Sequence, residues 1–359
     1  MQNLLTLDEW QAAAKAKLSQ NTYDYYAGGA LEERALSEGG TAYDAHRIYH
    51  RVLVDVSKID SQISLLGETL SMPIIIAPSA MHQMADPQGE LATARAAARM
   101  GTHMIQSTLS NYSLEEVAQA APGRTWFQLY VYKDRAVTKE IVGRAQAAGF
   151  RALVVTVDAP VLGRRLRDER NQFKMPEGLS LGNFKPQQSE QRKLPPTQGS
   201  GLSAYVSNQT DPALTWNDIA WLRSITDMPI FLKGIVRAGD AKRAVQAGVA
   251  GIVVSNHGGR QLDCSPAPIQ ALPAVVEAVN GACDVLIDGG IRRGTDVIKA
   301  LALGAKAVLI GRPILWGLAV GGEDGVVEVL EHFRKSLHHA MILSGCPTIA
   351  DITPDLLRP

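Results

Sequence analysis

Cysteine is scarce: Cys264, Cys283 and Cys346 are the only three in 359 residues, and they form no CxxC pair and no zinc-like cluster. A disulfide framework and a structural metal are therefore not expected, and a reducing, cytoplasmic location is. An excess of one charge is missing too, since 36 Lys and Arg balance 36 Asp and Glu. No overall basic field gathers nucleic acid or anionic lipid, which leaves only a local patch for such contacts. No apolar run approaches the length of a membrane span, so no firm membrane association is expected. The first residues, MQNLLTLDEWQAAAKAKL, lack the unbroken apolar segment of a secretion signal, and the final DLLRP matches no simple address signal. No GxGxxG follows an early strand and no GxxxxGKS occurs, so a nicotinamide-binding Rossmann unit and a P-loop are both poorly supported.

What is present is a repeat of short apolar runs and Ala-rich segments. An opening helix is predicted over 6–18, capped by Thr6 with Glu9 three residues on, and with Leu7, Trp10, Ala14 and Leu18 on one face. The strand candidates are 73-PIIIA-77, 103-HMIQS-107, 125-TWFQLY-130, 152-ALVVTV-157, 229-PIFLK-233, 251-GIVVS-255, 284-DVLI-287 and 306-KAVLI-310. They are continuous rather than alternating, as parallel strands covered on both faces are. Between them lie helical segments 88–101, 134–149, 239–248, 268–281 and 294–304, each ending in Gly as a C-cap does. Eight β-α units in roughly 240 residues indicate an α/β fold, a (β/α)8 TIM barrel, with a doubly wound sheet as the rival. The chain reads as a single domain over 1–359, with 1–70 as an N-terminal extension. The connection after the fourth strand is long and rich in Gln, Pro, Gly, Ser and charge over 174–203. Residues 158–211 are read as a lid over the site, against the plainer reading of a surface loop.

Barrel chemistry gathers at the C-terminal ends of the strands. Those ends carry 77-APSAM-81, 106-QST-108, 128-QLY-130, 156-TVD-158, Lys233, 255-SNHGGR-260, 288-DGG-290 and 311-GR-312. The last two suit a phosphate: glycines let backbone N–H groups approach an anion, and Arg292 and Arg312 add charged forks. His257 alone reads as a structural residue. Beside Arg260, and with Asp158 as a candidate carboxylate to fix its tautomer, it reads as a base; Asp263 lies six residues further on. Arg165 and Arg260 suit a substrate carboxylate, while most charges in 163-GRRLRDER-170 are explained by a solvated loop.

These residues together resemble the FMN-dependent α-hydroxy-acid oxidases and dehydrogenases, in the glycolate oxidase and lactate oxidase branch. The resemblance is carried by 255-SNHGGRQLD-263 with 23-YDYYAGG-29, 72-MPIIIAPSAM-81, 127-FQLYVYKDR-135, 156-TVDAPVLGRR-165, 288-DGGIRRGTDV-297 and 311-GRP-313, and it covers essentially the whole chain. It implies His257 as the base, Asp158 as its partner and Tyr130 on the substrate oxygen. It implies Arg165, Arg260 and the Tyr25 hydroxyl on the substrate carboxylate. FMN would be held by Ala77, Pro78, Ser79, Ser107, Gln128, Thr156, Lys233 and Ser255 around the ring, and by Asp288, Gly289, Gly290, Arg292, Gly311 and Arg312 toward the phosphate; no metal is expected. The implied reaction oxidises an L-2-hydroxy acid to the 2-oxo acid. His257 takes either the hydroxyl proton, with the α-hydrogen leaving as hydride, or the α-proton, leaving a carbanion.

Leu109 stands where plant glycolate oxidase has a pocket-shaping Trp, and Ser79 where it has Thr. The implied pocket is less tailored to glycolate, and L-lactate is favoured, with glycolate and longer 2-hydroxy acids as further substrates. O2 is the favoured acceptor, giving H2O2, because no fused cytochrome domain is expected and 174–203 is not strongly apolar. A dehydrogenase feeding a quinone or cytochrome is the alternative, followed by a non-redox FMN or phosphate-binding barrel enzyme. The resemblance also implies a homotetramer.

Overall fold

The computed structural model describes residues 4–184 and 201–357. A short antiparallel hairpin, β1 (Ile63–Leu65) and β2 (Glu68–Leu70), precedes the main sheet. Eight strands follow: β3 (Ile74–Ile76), β4 (Met104–Gln106), β5 (Thr125–Leu129), β6 (Leu153–Thr156), β7 (Ile230–Ile235), β8 (Gly251–Val254), β9 (Asp284–Asp288) and β10 (Ala307–Ile310). All pair in parallel in chain order, and β10 closes on β3. The barrel therefore replaces the doubly wound alternative, and every predicted strand end falls within two residues of the observed one.

Side chains alternate along each strand. Ile75, Ile105, Trp126, Val154, Phe231, Val253, Leu286 and Leu309 fill the barrel, and Leu65 and Leu70 of the hairpin join that cluster. The intervening residues, among them Ile74, Phe127, Val155, Leu232 and Ile252, face the surrounding helices. The five predicted helices form as Gly89–Arg99, Arg135–Ala147, Ala238–Gln246, Pro268–Val279 and Gly294–Ala302. Their terminal glycines, Gly101, Gly149, Gly248, Gly281 and Gly304, all have positive φ, between 65° and 99°, which ends the helix and turns the chain into the next strand.

The connection from β6 to β7 differs from the expectation of one long loop. It contains helices Leu166–Arg170, Gly201–Gln209 and Trp216–Ile225. The last is the barrel helix of this unit, started by a capping box between Thr215 and Asp218 and packed through Ile219 and Leu222. Within the segment read as a lid, residues 185–200 lie outside the described residues.

The N-terminal helix Leu7–Lys17 carries the predicted capping box, with Glu9 N donating to Thr6 Oγ1 at 3.2 Å and Thr6 N donating to the Glu9 carboxylate at 3.0 Å. After helix Gln20–Ala27, the chain crosses the C-terminal end of the barrel. Ala30 N donates to Gly259 O at 2.8 Å and Ala35 N to Asp263 Oδ1 at 2.9 Å. Helix Arg34–Thr41 then presses on the loop after β9, where a Cβ on Gly290 would stand 1.7 Å from Gly39 O. The extension thus walls one side of the site. The chain ends in helix Arg312–Ser344, broken at Gly321 and Gly322.

Candidate active site

The strand ends open into one cavity. Every residue assigned a catalytic, substrate or cofactor role lines it, except Asp158 and Ser255, which lie one layer behind. Ser255 Oγ is already engaged by Lys233 Nζ and by His257 N, each at 3.0 Å, so it supports the lining rather than forming it.

His257 follows β8 with φ 60°, and Gly258 and Gly259 continue in the same left-handed region at 63° and 71°. This rare run of backbone turns the imidazole back over the barrel mouth. Nδ1 meets Asp158 Oδ1 at 2.9 Å, and Nε2 faces Tyr130 Oη at 3.4 Å. Asp263, close in sequence, is instead spent on the N-terminal extension. Burial lowers the His257 pKa, although Asp158 pulls it upward, so the ring is neutral near pH 7. Burial alone raises a carboxyl pKa, but His257 and Lys233 outweigh it and hold Asp158 below its ordinary range. Burial pushes the Tyr130 hydroxyl well up, leaving it a hydrogen-bond donor at neutral pH.

The loop 163–170 sorts its charges. Arg164 pairs with Glu169 at the surface, and Arg167 reaches Asp24 and Glu33. Only Arg165 turns into the cavity, 6% exposed; its Nη1 lies 3.9 Å from the buried Asp168 carboxylate, and Nε and Nη1 have no hydrogen-bond acceptor among the described residues. Arg260 is anchored through Nη1 to Tyr25 O at 2.7 Å and Gly28 O at 2.8 Å, and its guanidinium lies 5.1 Å from the Tyr25 ring centre. Burial and the neighbouring Arg165 bring Arg260 down to about 10. Two desolvated cations beside one base favour an anionic substrate group.

On the opposite side, Lys233 Nζ meets Asp288 Oδ2 at 3.0 Å. Gln128 Nε2 donates to Thr156 Oγ1 at 3.0 Å and Ser107 Oγ to Gln128 Oε1 at 3.3 Å, forming a fixed amide and hydroxyl wall. Toward β9 and β10, Arg312 is spread over three carbonyls, Tyr26 O, Gly258 O and Gly28 O. Neither Arg312 nor Arg292 has a carboxylate partner among the described residues, and burial lowers both, with other arginines adding to the effect on Arg312. Asp288 Oδ1 is a buried acceptor without a donor among the described residues. Together these groups fit a flat ring edged by hydrogen-bonding atoms, a hydroxylated chain and a phosphate. FMN has those parts, and Lys233 would face its ring, Asp288 its ribityl chain, and Arg292 and Arg312 its phosphate.

Several lining residues were not foreseen. Tyr26 sits inside a quoted motif, while Leu162, Leu202 and Val206 come from the connection after β6. Leu202 and Val206 are one helical turn apart, and that apolar i, i+4 pair was the available signal.

A barrel with a cation-rich phosphate end beside a histidine base and an arginine pair defines a flavin-binding oxidoreductase class. The comparisons agree. The FMN-dependent dehydrogenase family model matches residues 14–359. An L-lactate oxidase of Nostoc sp. is 52% identical across 99% of this chain and 98% of its own length. A peroxisomal (S)-2-hydroxyacid oxidase of Arabidopsis thaliana is 51% identical across 100% and 97%. Among solved structures, a mandelate oxidase with (S)-4-hydroxymandelic acid superposes with TM-score 0.92 at 42% identity, covering 97% of each chain. The chain belongs to the FMN-dependent dehydrogenase family, it is an enzyme, and FMN is its cofactor.

Proposed function

We propose that this enzyme oxidises L-2-hydroxy acids to 2-oxo acids with O2 as acceptor and H2O2 as product, and that L-lactate is its preferred substrate among small acids. The observation that carries the reading is the placement of the Asp158–His257 pair against one cavity with Arg165 and Arg260. Similarity to the L-lactate oxidase supports the substrate. So does the apolar lining by Leu109, Leu162, Leu202 and Val206, which suits a methyl or longer side chain.

In this reading Arg165 and Arg260 bind the carboxylate and aim the hydroxyl at His257 Nε2. Nε2 takes the hydroxyl proton, and Asp158 stabilises the resulting imidazolium through Nδ1–H. Tyr130 Oη donates to the same substrate oxygen. FMN, when bound, would supply the acceptor for the α-hydrogen together with the two electrons of the broken C–H bond. Ala77, Pro78, Ser79, Ser107, Gln128 and Thr156 hold the ring, with Ser255 fixing Lys233 behind it. Gly289, Gly290 and Gly311 leave room at the phosphate end. The described parts of segment 158–211 act as the cover of the site, an assignment supported by Leu162, Leu202 and Val206. The whole chain acts as one barrel domain, in the cytoplasm and as a homotetramer; light scattering tests the last point.

The deciding experiment follows flavin bleaching without air with glycolate, L- and D-lactate, 2-hydroxyoctanoate and mandelate, then reoxidation by O2 or a quinone. Fast bleaching by L-lactate and fast recovery with O2 are expected. Bleaching without O2 recovery would move the enzyme to the dehydrogenase alternative, and no bleaching by any acid would sink the reading.

A further inference from the structure

Strand β7 is irregular at one point. Its register against β8 shifts between Lys233 and Ile235, and the residue between them, Gly234, has φ 111°. A side chain at that φ is strained. The space beside it is also closed. A Cβ on Gly234 would stand 2.5 Å from both Cβ and Cγ of Asp158 and 2.9 Å from Asp158 Oδ2. The carboxylate of Asp158 therefore lies directly on the Gly234 backbone. Its Oδ1 is engaged by His257 Nδ1, whereas Oδ2 is buried without a donor among the described residues. No hydrogen bond among the described residues fixes Oδ2, so van der Waals contact with the bulge limits where the carboxylate can sit. The same bulge leaves Lys233 directed at Asp288 and Ser255.

We propose that Gly234 is a positioning residue: its bare backbone sets the place of the Asp158 carboxylate and, through it, the tautomer and orientation of His257. The inference rests on the reading of His257 as the base. The other charged or titratable groups facing the pair are Lys233 from β7, Arg165 from the loop after β6, Tyr130 from the end of β5 and Arg260 from the histidine's own loop. Chain neighbours aside, the three atoms nearest the position of the new Cβ all belong to Asp158.

The test is Gly234→Ala in the FMN-bound enzyme with L-lactate. Displacing Asp158 by about 1 Å is expected to lower kcat about 100-fold. KM should change little, because the carboxylate-binding arginines are untouched. The acid limb of kcat/KM should move to lower pH, since a displaced Asp158 no longer raises the His257 pKa. Nitrogen-15 NMR of labelled histidine gives a readout apart from turnover: Nδ1 protonated in the parent, mixed tautomers in the variant. In an Asp158→Gly background, which removes the atoms the new Cβ would strike, adding Gly234→Ala should change kcat less than about twofold. An equal loss in both backgrounds, or full activity with Asp158 present, overturns the proposal. If Gly234→Ala alone fails to fold or retain FMN, recovery in the double variant supports the contact, and continued failure overturns it. His257→Ala separates the two readings. If it oxidises L-lactate normally, the base assignment fails. If it is inactive while Gly234→Ala behaves as the parent, only the positioning role fails.

Discussion

His257 with Asp158 at the cavity, and His103 with Glu68 at the other end of the barrel, are the same two kinds of side chain in different surroundings. His257 Nδ1 lies 2.9 Å from Asp158, and His103 Nε2 lies 3.3 Å from Glu68. Burial lowers both imidazole pKa values, and in both cases the carboxylate opposes it. The difference lies in what each ring meets next. His257 faces Tyr130 and a cavity lined by Arg165 and Arg260. His103 is 1% exposed and packs against Trp126 at 5.6 Å, with Arg151 also pairing to Glu68. A histidine–carboxylate pair becomes a base only where the second ring nitrogen has access to a substrate. At the hairpin end that access is closed by packing.

The largest expected contrast comes from removing each imidazole. His257→Ala should lower kcat for L-lactate about 10²- to 10⁴-fold, the range of a positioned general base, while FMN absorbance stays in place. Arg165→Met should come next, because it keeps a long stem and loses the charged fork. A lost charge-assisted hydrogen bond of about 1.5–3 kcal/mol lowers kcat/KM about 10- to 100-fold. Oxidation of lactamide, which lacks the carboxylate charge, should fall much less. Equal losses for acid and amide would show that Arg165 holds the fold and not the carboxylate.

The two ends also differ in how much could be read beforehand. All eight strands were visible because parallel strands covered on both faces leave unbroken apolar runs, and a final Gly with positive φ marked the five predicted helices. Helix Trp216–Ile225 was missed because the polar, proline-rich stretch before it masked the Thr215–Asp218 cap. The cavity residues at strand ends were legible through topology alone: once eight strands close in order, their C-terminal ends must meet. Asp158 as the partner of His257 was foreseen from the same logic, despite a separation of 99 positions. The His103–Glu68 pair was not singled out. It joins the start of one strand to a three-residue hairpin strand too short to leave a periodic signal. Gly234 was invisible for a related reason, since a bulge has meaning only against the neighbour it touches.

The pH profile sharpens the comparison further. A neutral His257 is the active form, and its folded pKa lies below the ordinary 6.5. The kcat/KM value should therefore be flat above pH 6.5 and fall about tenfold per unit once the pH passes below the lowered value. Asp158→Asn removes the largest influence that raises this pKa, so the limb should move to lower pH as the rate falls. A shift toward higher pH would mean that Asp158 does not act electrostatically on the ring.

His103→Gln should have the smallest effect on turnover. Glutamine keeps a donor near Glu68 but not the tilted ring contact with Trp126. Substitution here should cost about 1–3 kcal/mol of stability, as expected when a buried polar partner is poorly replaced. The parent pair has its own pH signature. Because burial depresses the folded His103 pKa, its contribution to stability is present above the unfolded value near 6.5 and is lost as pH falls through the folded one. Thermal unfolding of His103→Gln should thus show a lower midpoint at pH 7.5 and a smaller further drop between pH 7.5 and 5 than the parent shows. Its kcat and the acid limb of kcat/KM should match the parent. A change in that limb would mean that the hairpin end of the barrel communicates with the base, and the separation of the two pairs by a packed interior of Trp126, Phe231 and Leu286 argues against it.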